Sequence, residues 1–366
     1  MKKVVNYFLY AIFLSVLLYC AVGYKSEISG GVTFAIDYCL NNLIPSLFPM
    51  IFLACMISAS PVNDIICYCF SFFTRRVLKV PNCLASVVVF GLCCGYPVGA
   101  KLCSNLLKEK KITKETAENA LMYLVNPGVP FAVLFVGGGV FASFKLGFYM
   151  FFSTALASLL ISFLMGINKK TPTKESYKQT KTSFLQCFDI SAKSALSATV
   201  NMCLYIVIFS AFIPLLYSLK IMDILIFLTE KITFLSENEI NSLFSFFTEV
   251  VHGVTVASQT NVSAFIYLIG LAFGGICIHF QILSMFENDK KLVIKFFTGR
   301  VLHVVFSYGI FKSLLYFFPI AVSTFNSFEN LTVETTKANA TGSICLVVLS
   351  LTFIYCNILV EKPKHL

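Results

Sequence analysis

Val80 to Leu107 reads VPNCLASVVVFGLCCGYPVGAKLCSNLL. The stretch is apolar enough for a membrane, yet Gly91, Gly95, Pro97 and Gly99 interrupt it in the middle. Its far end runs straight into a basic segment, Lys101 through Lys114. An ordinary spanning helix does not carry its breakers at mid-depth and then end in a block of lysines. A hairpin that enters the membrane, turns on glycines and leaves by the same side does both. Irregular backbone at that depth survives only where it is buried in protein or lines a cavity. The stretch therefore reads as a re-entrant loop at a binding or conduction site.

The composition of the remaining chain agrees. Of 366 residues, 57% are hydrophobic and 13% charged, and the mean hydropathy is +0.82. A soluble domain carries roughly twice that charged fraction. Several apolar runs reach the ~20 residues needed to cross a bilayer. The chain reads as an all-α polytopic membrane protein with about eight spans. Its formal charge of +10 does not call for nucleic acid, because the lysines cluster in a few loops between apolar runs, as cytoplasmic loops do. The 14 cysteines form no CxxC pair, and there are only four histidines to complete a metal set. Most of these cysteines read as small apolar filler, so no metal and no cofactor is expected.

Taken in order, residues 1–31 are expected to form an N-terminal spanning helix (apolar from Val4 to Val22) and a short loop, Lys25 to Gly31. A second span covers roughly Thr33 to Ala59, and Pro61 to Lys79 suits an amphipathic interfacial helix. The hairpin follows, then the basic turn, where Thr113, Thr116 and Glu118 mark a helix start. The next span is broken at Asn126-Pro127-Gly128-Val129-Pro130, because two prolines and a glycine do not fit an unbroken helix. Leu146 to Ile167 returns the chain to the inside, where a lysine-rich linker, 168–185, marks the cytoplasm.

The second half repeats the plan. Ser191 to Leu216 spans, Lys220 to Leu235 is amphipathic, and Ile240 to Gln259 is too short and polar to span and reads as a second hairpin. Val262 to Phe286 is broken at Gly274-Gly275. Lys290, Lys291, Lys295 and Arg300 read as a cytoplasmic loop before a span over Val301 to Phe318. Residues 321–342 read as an external loop and 343–366 as a last spanning helix with a basic tail. Residues 32–167 and 186–320 then match element for element in opposite orientation, as inverted repeats with two re-entrant hairpins and two broken helices. That is the plan of secondary transporters.

Six motifs in collinear order also carry a family likeness: GYPVGAKL (Gly95–Leu102), KEKKITKETAENAL (Lys108–Leu121), the Asn126-Pro127 break, FFTEVVHG (Phe246–Gly253), AFGGICIHFQILSM (Ala272–Met285) and FFTGRVLH (Phe296–His303). Together they resemble the YlbJ-type sporulation integral membrane protein family, within the nucleoside-recognition or Gate domain group. The resemblance covers most of residues 32–320. It implies a fold similar to concentrative nucleoside transporters, and a role in endospore formation, moving dipicolinic acid from the mother cell across the outer forespore membrane. This chain departs from the expected pattern in following Asn126 with Pro-Gly-Val-Pro, where small hydroxyl residues are expected.

The chemistry of the breaks suits such a substrate, a small planar dianion. Half-helices beginning at mid-membrane turn free N–H groups and a positive dipole end toward the site, which favours carboxylates. Substrate contacts are expected from Gly95, Tyr96, Pro97, Gly99 and Lys101 in the first hairpin, from Asn126, Pro127 and Gly128, and from Gly274, Gly275, His279 and Gln281. Tyr96 is the aromatic chosen to stack on a pyridine or nucleobase ring. Lys101 either pairs with a carboxylate or snorkels to the inner interface. Glu249, an acid in an apolar setting, either binds a coupling proton or cation, or forms a structural ion pair with a basic residue such as Arg300 or a helix-terminal contact between repeats. His252, His279 and His303 read either as proton relays or as satisfied interior histidines.

No phosphate loop, HExxH or GxSxG is present, so an enzyme is not expected. The expected partners are a dipicolinate-like anion and the lipid bilayer, with a homo-oligomer or sporulation membrane partners left open. The alternatives are a nucleoside transporter of the same fold and a membrane scaffold that carries no solute.

Overall fold

The structure is a computed structural model that describes residues 2–167, 183–286 and 289–320. All regular structure among these residues is helical. Five helical stretches are long and apolar enough to cross a membrane: Lys25–Ala59, Phe144–Gly166, Phe184–Ser218, Ala264–Leu283 and Lys290–Phe317. They fall where five of the spans are expected, and fit an all-α polytopic membrane protein. The expected external loop 321–342, the last span and tail 343–366 and most of the linker 168–185 lie outside the described residues.

Helix α1, Lys2–Gly23, carries exposed Tyr7, Phe8, Tyr10, Leu14 and Leu18. Helices α2, Lys25–Tyr38, and α3, Ile44–Ala59, run into one another through a wide π-type turn, Cys39–Leu43. The expected loop from Lys25 to Gly31 is therefore helical. Gly31 is buried against the backbone of Ser210 and the ring of Pro214, so packing holds a segment whose two adjacent glycines are poor helix formers. Helix α4, Val62–Cys69, follows in the expected interfacial stretch.

Two closely packed helix pairs occupy the expected hairpins. Helix α5, Ala85–Cys94, turns at Gly95 into α6, Tyr96–Lys108. Further on, α11, Glu237–Thr248, turns at Glu249 into α12, Val250–Gln259. Between them come α7, Lys114–Ala120, a π-type helix, Pro130–Val140, and α8, Phe144–Gly166. Thr113 caps α7 by accepting the N–H of Thr116, as the spacing suggested. Next are α9, Phe184–Ser218, and α10, Ile221–Glu230. The last elements are α13, Ala264–Phe273, α14, Gly275–Leu283, and α15, Lys290–Phe317.

The long helices are polarised by side-chain type. On α8, Phe148, Phe152, Leu156 and Phe163 face out while Thr154, Ser158 and Ser162 are buried. On α9, Leu196, Val200, Leu204 and Ile208 face out while Ser191, Ala195, Thr199 and Ser210 are buried. Small and hydroxyl residues between helices, with large apolar ones outside, are what packing in lipid favours.

One expected loop is corrected. Residues 290–300 belong to α15, with Asp289 accepting the N–H of Lys291 at its start. Arg300 is fully buried mid-helix. Lys295 is turned inward too, donating to Glu118 at 3.0 Å and Asn119 at 2.8 Å. Lys295 is held by partners on α7 and Arg300 by carbonyls just beyond it, which a reading of charge along the chain does not see.

Candidate functional site

Four interruptions converge. Gly95 and Gly274 take φ values of 110° and 89°, which a residue with a Cβ adopts only under strain. Gly128, in the break between α7 and the π-type helix, packs on the backbone of Cys94 and Gly95. Gly275 packs on the backbone of Phe246 and Val250, at the turn from α11 to α12. Each helix pair thus rests on the interrupted helix that follows it. Tyr96 joins the two halves, because its hydroxyl donates to the carbonyl of Leu271 at 2.8 Å and its ring lies over Gly274.

The expected substrate residues Gly95, Tyr96, Pro97, Gly99, Asn126, Pro127, Gly128, Gly274, Gly275, His279 and Gln281 are all buried. Asn126 donates to the carbonyls of Leu92 and Pro127, closing the first break. Tyr96 is 7% exposed and its hydroxyl is already committed, so it presents no free face in this conformation. Lys101 is half-buried further along α6, within electrostatic reach of Cys55 and Lys108, away from the turn.

Of the readings open for Glu249, the ion pair with Arg300 is not formed. The Glu249 carboxylate accepts the N–H groups of Val251 at 3.0 Å and His252 at 2.7 Å, filling the N-terminus of its own helix. Arg300 instead donates from Nη1 to the carbonyl of Val125 at 2.6 Å and from Nη2 to that of Met122 at 3.1 Å. Those carbonyls are set free because α7 stops at Ala120 and the chain passes into the break. Tyr96 lies within electrostatic reach of both charged groups. The two half-helix N-termini therefore differ: that of α12 holds an acid from its own chain, whereas that of α6 has no side-chain cap.

The histidines separate. His303 is fully buried, with Nδ1 2.9 Å from the carbonyl of Ala272 and Nε2 near Thr154 and Ser158 of α8. Nε2 lies 2.9 Å from the Thr154 carbonyl and 3.1 Å from the Ser158 hydroxyl, so a neutral ring, with one N–H, donates to only one of the Ala272 and Thr154 carbonyls. His279 Nε2 lies 2.9 Å from the carbonyl of Phe273, at the second break. His252 is half-buried on α12, edge-on to Phe34.

The chain is similar to the sporulation integral membrane protein YlbJ of Bacillus subtilis (strain 168). The two share 24% identity over 304 residues, covering 75% of this chain and 74% of that protein. This likeness supports the family resemblance carried by the six motifs. No family model and no solved structure matches the chain.

Some polar groups around the breaks were not singled out from the sequence. Ser158, whose hydroxyl meets His303, and Thr154, which meets it through its main-chain carbonyl, belong to a stripe with Ser162 at four-residue spacing on α8. That spacing is readable as one helix face. Tyr38 and Cys277 lie within electrostatic reach of Glu249. They come from α2 and α14, and no local pattern pointed to them.

Proposed function

We propose that this chain is a sporulation membrane protein that moves a small anionic solute by alternating access. The proposed solute is dipicolinic acid, carried from the mother cell toward the forespore across the outer forespore membrane. The reading makes 32–167 and 186–320 inverted repeats, with α5–α6 and α11–α12 as re-entrant hairpins. The observation that carries it is the meeting of four helix interruptions around Tyr96, with the buried cation of Arg300 bonded to carbonyls rather than to a carboxylate. A buried cation and the uncapped start of α6 favour an anion at this place. Rocking of one helix group against the other would open the packed breaks to each side in turn. The sporulation context rests on the likeness to YlbJ.

Close packing at the breaks supports a second reading, a scaffold or gate that carries no solute. A Cβ built on Gly99 would lie 2.6 Å from the Leu124 carbonyl oxygen and 2.8 Å from the Gly91 Cα. The experiment is uptake of dipicolinate and of uridine into oriented vesicles containing this protein alone, compared with a Glu249→Gln variant. Dipicolinate uptake, slowed in the variant, is expected. Uridine uptake would move the reading to a nucleoside carrier, and uptake of neither to the scaffold.

A further inference from the structure

A cavity of about 220 Å³ lies where the 78–81 turn meets α7 and the end of α8. Its walls are that turn, Thr116 and Asn119 of α7, Tyr123 just beyond α7, and the end of α8 from Ser162 to Gly166. Lys79 takes a left-handed φ of 50°, and its ammonium donates to the carbonyl of Ile167 at 2.9 Å. That bond neutralises the negative end of α8 and uses one of three N–H donors. Asn119 accepts from Lys295 at its carbonyl oxygen, which leaves its two amide N–H groups to donate. Tyr123 and Ser162 are 3% and 1% exposed. The Ser162 hydroxyl sits beside that of Tyr123 and makes no well-formed hydrogen bond.

No acidic side chain is among the residues lining this cavity. The nearby Glu118 is taken up by Lys295 at 3.0 Å. A partly open space lined by an ammonium, an amide and two buried hydroxyls, with no carboxylate, carries a positive charge and several N–H and O–H donors. That lining favours an anionic acceptor.

We infer that this cavity is an oxyanion site, taking a carboxylate or phosphate group from the basic side of the protein. Lys79 supplies the charge, and Tyr123, Ser162 and Asn119 supply hydrogen bonds. The site includes none of the substrate residues expected at the breaks and stands whether or not the chain carries solute. The group it holds belongs either to a soluble anion or to an anionic lipid headgroup.

The test uses the full chain in phosphatidylcholine nanodiscs, with inorganic phosphate as the soluble probe against chloride at matched ionic strength. A second arm asks by native mass spectrometry whether phosphatidylglycerol is retained. A soluble-anion site gives a saturable rise in thermal midpoint with phosphate, reduced at least threefold in Lys79→Gln. A headgroup site gives retained phosphatidylglycerol, lost in Lys79→Gln, with no response to phosphate. Tyr123→Phe provides a second folded variant in which either signal must also weaken. Neither probe binding the wild type, or equal binding in wild type and both variants, overturns the inference.

Discussion

Arg300 Nη1 lies 2.6 Å from the carbonyl oxygen of Val125, 175 positions earlier in the chain. With the bond from Nη2 to Met122, one guanidinium on α15 serves two carbonyls that the end of α7 leaves without helical donors. The planar fork suits this task, whereas a point charge on a flexible stem does not. An interrupted helix in an apolar setting is stable only if its freed backbone groups find partners. Here the partner is a buried cation from the far half of the chain.

Arg300→Met should therefore destabilise the break itself. Two buried acceptors would lose their donors, at about 1–3 kcal/mol each. The expected result is a lowered thermal midpoint in detergent and faster amide exchange over residues 121–128. Arg300→Lys should fall between the two, since one ammonium cannot reproduce both bonds. A midpoint unchanged in Arg300→Met would mean the carbonyls have other partners.

Gly99 tests the packing of the first helix pair. The atoms a Cβ would meet are the Gly91 Cα and the Leu124 carbonyl oxygen, both backbone, so rotamer changes cannot relieve the clash. Gly99→Val is expected to cost about 3 kcal/mol or more, the upper end for overpacking. Folded yield should fall sharply, with Gly99→Ala intermediate. Loss of transport alone, with full stability, would contradict the close contact.

Tyr96→Phe removes one hydrogen bond and leaves the ring. The loss should be about 1 kcal/mol, read as a small midpoint shift with faster exchange confined to the end of α13 and the start of α14. A larger change would mean that the hydroxyl supports more than the Leu271 carbonyl.

Three of the four breaks were legible because Gly and Pro act locally. Gly95 and Gly274 adopt the positive φ their type permits, and Asn126 to Pro130 lies in a break that begins earlier, where α7 ends at Ala120. Glu249 stood out for its apolar surroundings, and it does sit at a turn. Its partners were not legible, because they are backbone N–H groups of its own helix rather than a charged side chain. The same holds for Arg300, whose acceptors are carbonyls that exist only because α7 ends where it does. A run of basic residues looks alike in sequence whether it forms a loop or turns into a packed helix. Lys295 is turned inward and Arg300 buried by tertiary partners on and after α7, some 175 positions away. Residues 25–31 misled for a related reason, since the contact of Gly31 with α9 overrides weak local propensity.

Asp289 gives a prediction in pH. Its carboxylate accepts the N–H of Lys291 at 3.0 Å, and the Lys114 ammonium lies 3.1 Å away. The backbone hydrogen bond first, and Lys114 after it, hold the carboxyl below its ordinary range. A carboxylate with a folded-state value below its unfolded one stabilises the fold above the unfolded value, about 3.9, and this is lost as pH falls through the folded value. Asp289→Asn keeps a capping oxygen but drops the charge. At pH 7 the variant should melt slightly below the wild type, by the small margin of a surface contact screened by water and salt. The gap should narrow below about pH 4 and close once the wild-type carboxyl is protonated. Raising salt at pH 7 should shrink it as well, because Lys114 and Asp289 are both solvent-accessible. A gap that stays constant from pH 7 to pH 3 would show that it does not arise from the charge of the Asp289 carboxylate.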